Sequence, residues 1–79
     1  MKLPRDISGT YLIKKLKPLG YTVTRQSGSH VRLTTLQHGE HHITIPMHDP
    51  LKIGTLTAIL GDIAAHFNKT KEEIGSMIF

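Results

Sequence analysis

The spacing of apolar residues changes twice along this chain, and this change constrains the fold more than any other feature. In the first twenty residues apolar side chains recur every three or four positions, which indicates a helix that Ser8 can cap. Pro18 should end this helix near Lys17, because its ring clashes with the carbonyl four residues earlier, and Gly20 suits a left-handed turn. Over residues 21–46 the apolar period falls to two, which indicates strands.

Three strands are predicted, at residues 21–26, 30–35 and 41–46, and the loops between them are short enough for hairpins. They form an antiparallel meander in which alternate side chains face opposite sides. The side chains assigned to the core are Tyr21, Val23, Val31, Leu33, Ile43 and Ile45. Those assigned to the opposite side are Thr22, Thr24, Gln26, His30, Arg32, Thr34, His42 and Thr44. That outer side is therefore polar and carries imidazoles.

The strongest helical periodicity follows the strands. Apolar side chains at spacings of three and four predict a second helix, and they are Ile53, Leu56, Ile59, Leu60, Ile63, Ala64 and Phe67. Asn68 can end this helix, and Thr70 with Glu73 matches a capping box that begins a short third helix. The apolar side chains on one side of the third helix are Ile74, Met77 and Ile78.

This order of elements is typical of an α+β fold. Sheets of this kind are covered by helices on one face and left wet on the other. We therefore predict a single domain over residues 1–79, with a three-stranded antiparallel sheet, two helices on one face and an appended helix at residues 68–79. In outline the arrangement, α-β-β-β-α, resembles a double-stranded RNA-binding domain.

Composition narrows the chemistry further. A chain of 79 residues has a thin core with little room for an internal cavity, and without cysteine it has no disulfide, thiol nucleophile or thiolate zinc site. No apolar run approaches the roughly 20 residues that span a bilayer, so we expect a soluble, cytoplasmic protein. The net charge of +4 favours a polyanionic partner and leaves nucleic acid, an acidic protein and an anionic membrane surface open.

Six histidines in so short a chain raise the question of a metal site. Zinc needs three or four converging ligands, whereas His41 and His42 are neighbours on one predicted strand and face opposite ways. His38 and His66 fit no familiar ligand spacing. We therefore expect solvated surface histidines, with no metal and no other cofactor.

His30 differs from the other histidines in its context. It follows a glycine–serine bend at the start of a strand, where its ring can project over a surface. The simplest register, which assumes no bulge, sets His30 opposite Pro46 and Val31 opposite Ile45. A lone histidine at a strand edge is also commonly structural, so its position alone leaves both roles open.

Two further features converge on the same end of the sheet. His48 lies just past the third strand, and the second helix begins at residues 52–55 with free N–H groups and a positive dipole end. A phosphate bound there would have His30 within reach as the candidate catalytic residue, with His48 as a candidate second catalytic residue. The same residues also simply start a helix, and spacing favours neither interpretation. The candidate RNA or phosphate contacts are Ser29, Arg32, Lys52, Gly54 and Thr55.

If that phosphate belongs to RNA, catalysis needs neither a metal nor a protein nucleophile, because the adjacent 2′-hydroxyl attacks once a base accepts its proton. Histidine suits this work near neutral pH, and acid–base assistance gives a factor of about 10² to 10⁴ per group. Stabilisation of the charged transition state by cations or N–H groups adds a comparable factor. One histidine with such a phosphate site makes a modest nuclease.

Short motifs along most of the chain resemble those of a known family. They are Gly28-Ser29-His30 after Arg25-Gln26, the strand ending Ile43-Thr44-Ile45-Pro46-Met47-His48, and Lys52-Ile53-Gly54-Thr55-Leu56 with Ala58-Ile59-Leu60. Leu3-Pro4-Arg5 with Ser8-Gly9, and the turn Leu19-Gly20-Tyr21, also fit. The family is the HicA-type toxins, mRNA interferases of bacterial type II toxin–antitoxin systems, and the likeness spans residues 3–65.

The resemblance implies a fold similar to the double-stranded RNA-binding domain, with a single catalytic histidine at His30. It implies a cytoplasmic RNA endonuclease that cuts mRNA and arrests translation. It also implies a HicB-like antitoxin that binds the toxin in a hetero-oligomer and masks its active surface. An acidic antitoxin surface suits the charge of +4. The expected partners are therefore mRNA and this antitoxin, and no membrane.

Three departures from the family pattern bear on this interpretation. Many relatives carry a second histidine or an aromatic residue after the motif histidine, where this chain has Val31, and Pro18 interrupts a helix that relatives often continue. The segment after Ala65 extends beyond the shortest members of the family. It could contact the antitoxin, contact a second copy in a dimer or cover the core, and we favour the last role. The alternative functions are a non-catalytic RNA-binding module on the same basic face and a protein-binding adaptor.

Overall fold

Helices cover one side of a three-stranded antiparallel sheet. The structure, a computed structural model, describes residues 3–79. Its elements are α1 at Gly9–Lys15, a 3₁₀ turn at Lys17–Leu19, β1 at Thr22–Ser27, β2 at His30–Thr35, β3 at His41–Pro46, α2 at Ile53–Phe67 and α3 at Lys71–Ile78. The predicted α+β class and the α-β-β-β-α order are confirmed. None of the helices in this part of the chain is long and apolar enough to cross a membrane.

The ends of α1 follow from its flanking residues. The Ser8 hydroxyl accepts a hydrogen bond of 3.0 Å from the Tyr11 N–H, which confirms the predicted cap. The helix ends two residues before the predicted Lys17, because Pro18 restricts the backbone before it and the chain enters the 3₁₀ turn. Gly20 closes that turn with a φ of 83°, a left-handed conformation that glycine adopts without steric cost.

The boundary between α2 and α3 is set by capping residues, as predicted. Asn68 ends α2 in the left-handed conformation, with a φ of 54°. The Thr70 hydroxyl accepts a hydrogen bond of 3.1 Å from the Glu73 N–H, and the Glu73 carboxylate accepts one of 2.9 Å from the Thr70 N–H. The hydrogen bond from the Thr70 backbone lowers the pKa of Glu73 below its ordinary value.

The register of β2 and β3 is the one predicted. His30 lies opposite Pro46, and Val31 lies opposite Ile45. The predicted core side chains that the structure buries in and beside the sheet are Tyr21, Val31, Leu33, Ile43 and Ile45. The two faces of β2 and β3 therefore divide as the alternation indicates.

A bulge in β1 corrects the faces predicted for that strand. The strand pairs regularly up to Val23, but the next pair joins Arg25 with Arg32, so Thr24 is an extra residue. Directly opposed residues of an antiparallel pair point to the same side. Arg25 therefore joins Arg32 on the outer side, whereas Gln26, predicted there, turns to the helix-facing side.

One cluster of buried apolar side chains fills the space between the sheet and the helices. Val23, predicted for the core, is instead 53% exposed. Ile53 and Met77, which belong to the apolar sides predicted for the second and third helices, are 55% and 51% exposed. Val23 lies on the edge strand β1, whose residues are all exposed, because α1 and α2 pack on β3 at the other edge. At the start of α2, Leu51 lies in the core in place of Ile53.

The third helix covers the core, as favoured from the sequence. α3 packs on α2 and buries Ile74 and Ile78, which are 0% and 5% exposed. These two residues, four positions apart, fill the stripe that faces the core, and Met77 lies at its margin. The appended helix is therefore part of the packed fold.

We expect Thr70→Ala to lower the free energy of unfolding by about 1 kcal/mol, because it leaves the Glu73 N–H without its partner. Urea unfolding followed by circular dichroism measures this change. Thr10→Ala is the control, since Thr10 is an exposed residue of α1 whose hydroxyl makes no hydrogen bond within residues 3–79, and it should change stability by less than about 0.5 kcal/mol. Equal stability of the two variants would contradict the capping role.

Candidate active site

The side of the sheet that turns away from the helices carries the candidate site. We call it the open face and define it by the side chains of Thr22, Thr24, Arg25, Ser27, His30, Arg32, Thr34, His42, Thr44 and Pro46. All of these residues are exposed except Thr34 and Pro46, which are half-buried. The residues of the open face include two arginines and no acidic residue, so the face carries positive charge, although the carboxylate of Glu40 reaches it through His42.

His30 stands at the corner of the open face where β2 begins and β3 ends. The turn before it contains Gly28, whose φ of 58° is left-handed. The carbonyl of Ser29 accepts a hydrogen bond of 2.6 Å from the Met47 N–H, which carries the pairing of β2 and β3 one residue further. The imidazole of His30 is exposed and makes no hydrogen bond or ion pair within residues 3–79. A substrate can therefore reach its ring nitrogens.

The other candidate anion contacts lie at the start of α2. Unlike α1 and α3, this helix has no side-chain cap, because the side chain of its N-cap Lys52 has no acceptor for the free N–H groups of the first turn. Lys52 and Gly54 are exposed, and Thr55 is half-buried. Apart from its chain neighbours and the backbone of its own helix, nothing lies within 4 Å of the position that a β-carbon on Gly54 would take. The N–H groups of this turn therefore remain available to an anion.

The structure brings only some of the candidate residues together. His30 and Arg32 lie two residues apart on the same side of β2, which is about 6.6 Å along a strand. The carbonyl of His48 accepts a hydrogen bond of 3.0 Å from the Gly9 N–H, which ties the loop after β3 to α1. No hydrogen bond or ion pair in the described part of the chain joins the His30 side chain to those of His48 or Lys52.

The pair of Arg25 and Arg32 is a feature that the sequence pattern missed. The bulge sets the two residues opposite one another, and they line one shallow depression with Thr24, Thr34 and His42. Neither guanidinium forms an ion pair with a carboxylate of residues 3–79. One sequence signal could have indicated the bulge. Strict alternation assigns Arg25 to the core side of β1, and an unpaired charged side chain is rarely buried there.

A chain of hydrogen bonds crosses the open face beside this arginine pair. Glu40, which lines the same depression, accepts a hydrogen bond of 2.7 Å from His42 Nε2–H. On the other side of the ring, His42 Nδ1 and the Thr34 hydroxyl are joined by a hydrogen bond of 2.7 Å. The hydroxyl of Thr24 lies 2.9 Å from that of Thr34. The chain therefore links all three strands and orients His42.

Two other histidines are structural, which corrects the expectation that the remaining rings are solvated. His41 and His66 are half-buried on the helix-facing side and stack with their ring centroids 4.3 Å apart. His41 accepts a hydrogen bond of 2.7 Å from the Tyr21 hydroxyl and donates from Nε2–H to Asp62 at 3.2 Å. Burial, with a smaller contribution from the charge of Asp62, raises the pKa of Tyr21. His66 donates to the Gln37 carbonyl at 2.8 Å.

The histidines also make no metal centre in the part of the chain described. Within residues 3–79, no three side chains of His, Asp or Glu are grouped so that they could hold a metal ion. The rings of His38 and Phe67 pack in a T-shaped arrangement, with the centroids 5.3 Å apart. The histidines on the helix-facing side therefore serve packing and hydrogen bonding at the margin of the core.

A family model matches residues 9–64, which include α1, the whole sheet and most of α2. The family is described as the HicA toxin of bacterial toxin–antitoxin systems. The chain belongs to the HicA toxin family. The resemblance drawn from the sequence motifs is thereby confirmed. No curated protein and no solved structure gives a match.

Membership of the HicA family makes this chain the toxin of a toxin–antitoxin system, whose partner is an antitoxin. The candidate site residues, from Ser29 to Thr55, all lie within the matched range. The arginine pair and His42 lie within it as well. α3 follows the matched range, so its contribution to the core of this HicA toxin lies outside the family match.

We expect Tyr21→Phe to lower the free energy of unfolding by about 1 kcal/mol, because half-buried His41 loses its hydrogen-bond partner. Urea unfolding measures the change. Tyr11→Phe is the matched control, since the Tyr11 ring is 43% exposed and its hydroxyl makes no hydrogen bond within residues 3–79. If Tyr21→Phe is as stable as Tyr11→Phe, the hydrogen bond to His41 does not stabilise the fold.

Proposed function

We propose that this HicA toxin is an endoribonuclease that cuts mRNA by histidine acid–base catalysis, with His30 as the catalytic residue. The observation that carries the proposal is the exposed imidazole of His30, unpaired within residues 3–79, at the corner of the cationic open face. A ring that the fold does not engage is available for proton transfer. Hydrogen bonds instead engage the rings of His41, His42 and His66.

The substrate supplies the nucleophile in this mechanism. The 2′-oxygen attacks the adjacent phosphorus and the bond from phosphorus to the 5′-oxygen breaks, which leaves a 2′,3′-cyclic phosphate and a 5′-hydroxyl end. One proton leaves the 2′-hydroxyl, and one must reach the 5′-oxygen. His30 accepts the first as a base or delivers the second as an acid, which contributes a factor of about 10² to 10⁴. His48, after β3, is the proposed second group for proton transfer.

The charge that develops on the phosphate is stabilised by donors around the site. Arg32, on the same side of β2 as His30, is the proposed contact to the RNA backbone beside the scissile phosphate, and Ser29 flanks the catalytic residue. The contacts proposed from the uncapped first turn of α2 are Lys52, Gly54 and Thr55. An RNA strand that leaves the open face over the exit of β3 would reach this turn. The exposure of Gly54 and the missing side-chain cap support this role.

A HicB-like antitoxin is the proposed inhibitor, in a hetero-oligomer in the cytoplasm. Family membership supports an antitoxin partner, and the net charge of +4 supports an acidic contact surface on it. The candidate catalytic ring and the two arginines share the exposed open face. A partner that covers this face therefore blocks RNA binding and chemistry together.

A second candidate is a non-catalytic RNA-binding module on the same face. The arginine pair without carboxylate partners favours it, because such side chains bind backbone phosphates without any chemistry. This candidate predicts RNA binding that weakens with salt and no cleavage over prolonged incubation.

We expect His30→Ala to lower the cleavage rate of a labelled mRNA fragment by at least about 10²-fold, because the proton-transfer group is lost. The variant should remain folded, since the ring makes no hydrogen bond within residues 3–79. Initial rates with purified protein measure the effect. His38→Asn, which removes an imidazole at a left-handed position that asparagine tolerates, is the control and should cut at the wild-type rate. Equal rates for wild type and His30→Ala would overturn the catalytic assignment.

We also expect cleavage to persist in EDTA and to require the 2′-hydroxyl beside the scissile phosphate, because that hydroxyl is the nucleophile. An oligonucleotide with a single 2′-deoxy residue at the cleavage site should resist the enzyme, and the same replacement elsewhere is its control. Analysis of the product ends should find the 2′,3′-cyclic phosphate. Loss of activity in EDTA, or cleavage of the 2′-deoxy substrate at the full rate, would contradict the mechanism.

A further inference from the structure

We propose that Arg25 and Arg32 form a second phosphate site on the open face, which holds the RNA phosphate next to the one cleaved at His30. The proposal rests on the proposed function and extends it. It gives the RNA strand a path along β2, from His30 towards the loop between β2 and β3.

The bulge in β1 creates this site. Without it, Thr24 would lie opposite Arg32, and the side chain of Arg25 would turn to the helix-facing side. With it, two guanidinium groups face the same shallow depression from adjacent strands, which lie about 4.8 Å apart. The extra residue is itself braced, since the Thr24 hydroxyl lies 2.9 Å from the Thr34 hydroxyl and 3.4 Å from the Arg32 carbonyl. The arginine pair is therefore positioned by the backbone before any ligand arrives.

The arginine pair is unfavourable for the fold by itself. Like charges directly opposite one another in an antiparallel pair destabilise the sheet. Glu40 lines the same depression, but its carboxylate accepts a hydrogen bond from His42 and forms no ion pair with either guanidinium. Neither guanidinium therefore has a carboxylate in direct contact within residues 3–79. A bound anion relieves this repulsion, and the planar guanidinium group matches the geometry of a phosphate.

The position of the pair favours RNA over a carboxylate of a protein partner. Arg32 follows His30 by two residues on the same side of β2, about 6.6 Å along the strand. This separation is comparable with that of successive phosphates in an extended RNA strand. A strand with its scissile phosphate at His30 therefore places a neighbouring phosphate at the arginine pair. The surface between His30 and the arginine pair is exposed and shallow, so the RNA backbone meets no barrier between the two positions.

The test compares RNA binding by variants in the His30→Ala background, in which the substrate survives. Fluorescence anisotropy with a short labelled single strand gives Kd at several salt concentrations. We expect Arg25→Gln to weaken binding about tenfold and to reduce the slope of log Kd against log salt by about 0.7, the value for one contact to a single-stranded phosphate. Lys69→Gln removes the same charge from the exposed loop between α2 and α3 and should change neither quantity appreciably.

A chemical replacement in the RNA locates the contact. Oligonucleotides in which one phosphate at a time is an uncharged methylphosphonate are bound to the parent protein and to Arg25→Gln. One replacement, beside the cleavage site, should weaken binding to the parent and have no further effect on Arg25→Gln, because the two changes remove the same contact. Additive effects at every position would overturn the phosphate site.

Thermal unfolding separates this role from a structural one. Arg25→Gln removes one of two opposed like charges, so its unfolding midpoint should equal or exceed that of the parent. If Arg25→Gln does not fold, Arg25→Lys tests the proposal in its place, since it keeps the charge but loses the planar fork and should weaken binding by a smaller factor.

The outcomes distinguish this proposal from the proposed function. Equal RNA affinity of Arg25→Gln and Lys69→Gln would overturn the phosphate site, even in a toxin that cleaves RNA. Weakened binding of the antitoxin with unchanged binding of RNA would also overturn it and assign the pair to the protein partner. A chain with intact His30 that binds RNA through Arg25 but never cuts it would support the phosphate site and contradict the proposed function.

Discussion

The antiparallel pairing of β2 with β3 is the constraint on which the rest of the structure depends. Its register sets Val31 opposite Ile45 in the core, and the period of two then places His30 and Arg32 on the open face. A shift of β3 by one residue would move its two buried isoleucine side chains to the solvent-exposed face. Exposing two such side chains costs on the order of 3 to 6 kcal/mol, a large part of the stability of a small domain. The position of the catalytic candidate is therefore enforced by packing on the other side of the same strand.

Most features that depend on residues close in sequence could be predicted from the sequence. Features that depend on how far the packed layer opposite an element extends could not. The caps at Ser8 and Thr70 and the left-handed Asn68 each involve side chains or backbone within a few residues. Alternation places Val23 on the core side of its strand, and helical spacing places Ile53 on the apolar side of its helix, because both patterns report which side an element faces. They do not report how far the opposite layer extends, and at these two positions it does not cover the side chain.

The candidate site shows the same limit. The exposure of His30 and its place beside the end of β3 follow from the strand pattern, since both depend on one hairpin register. The bulge that adds Arg25 to the open face could not be predicted, because an extra residue is decided by cross-strand pairing at the sheet edge. The role of His41 was also missed, because its partners Tyr21 and Asp62 come from segments 20 and 21 residues away. Polar contacts between residues far apart in sequence produce no periodic pattern, so sequence periodicity does not predict them.

The edge strand explains how this small toxin combines a folded core with an exposed polar face. β1 contributes no buried side chain, so a bulge there alters the open face without displacing any core residue. The same bulge in β2 or β3 would turn apolar residues such as Leu33 or Ile43 out of the core, because every position beyond it changes sides. The bulge is therefore tolerated in β1, the strand that contributes least to the core. The two arginines whose repulsion destabilises the sheet lie on β1 and on the outward side of β2. Folding consequently depends on one face of the sheet and the proposed RNA contacts lie on the other, so substitutions on the open face are expected to change RNA binding without unfolding the protein.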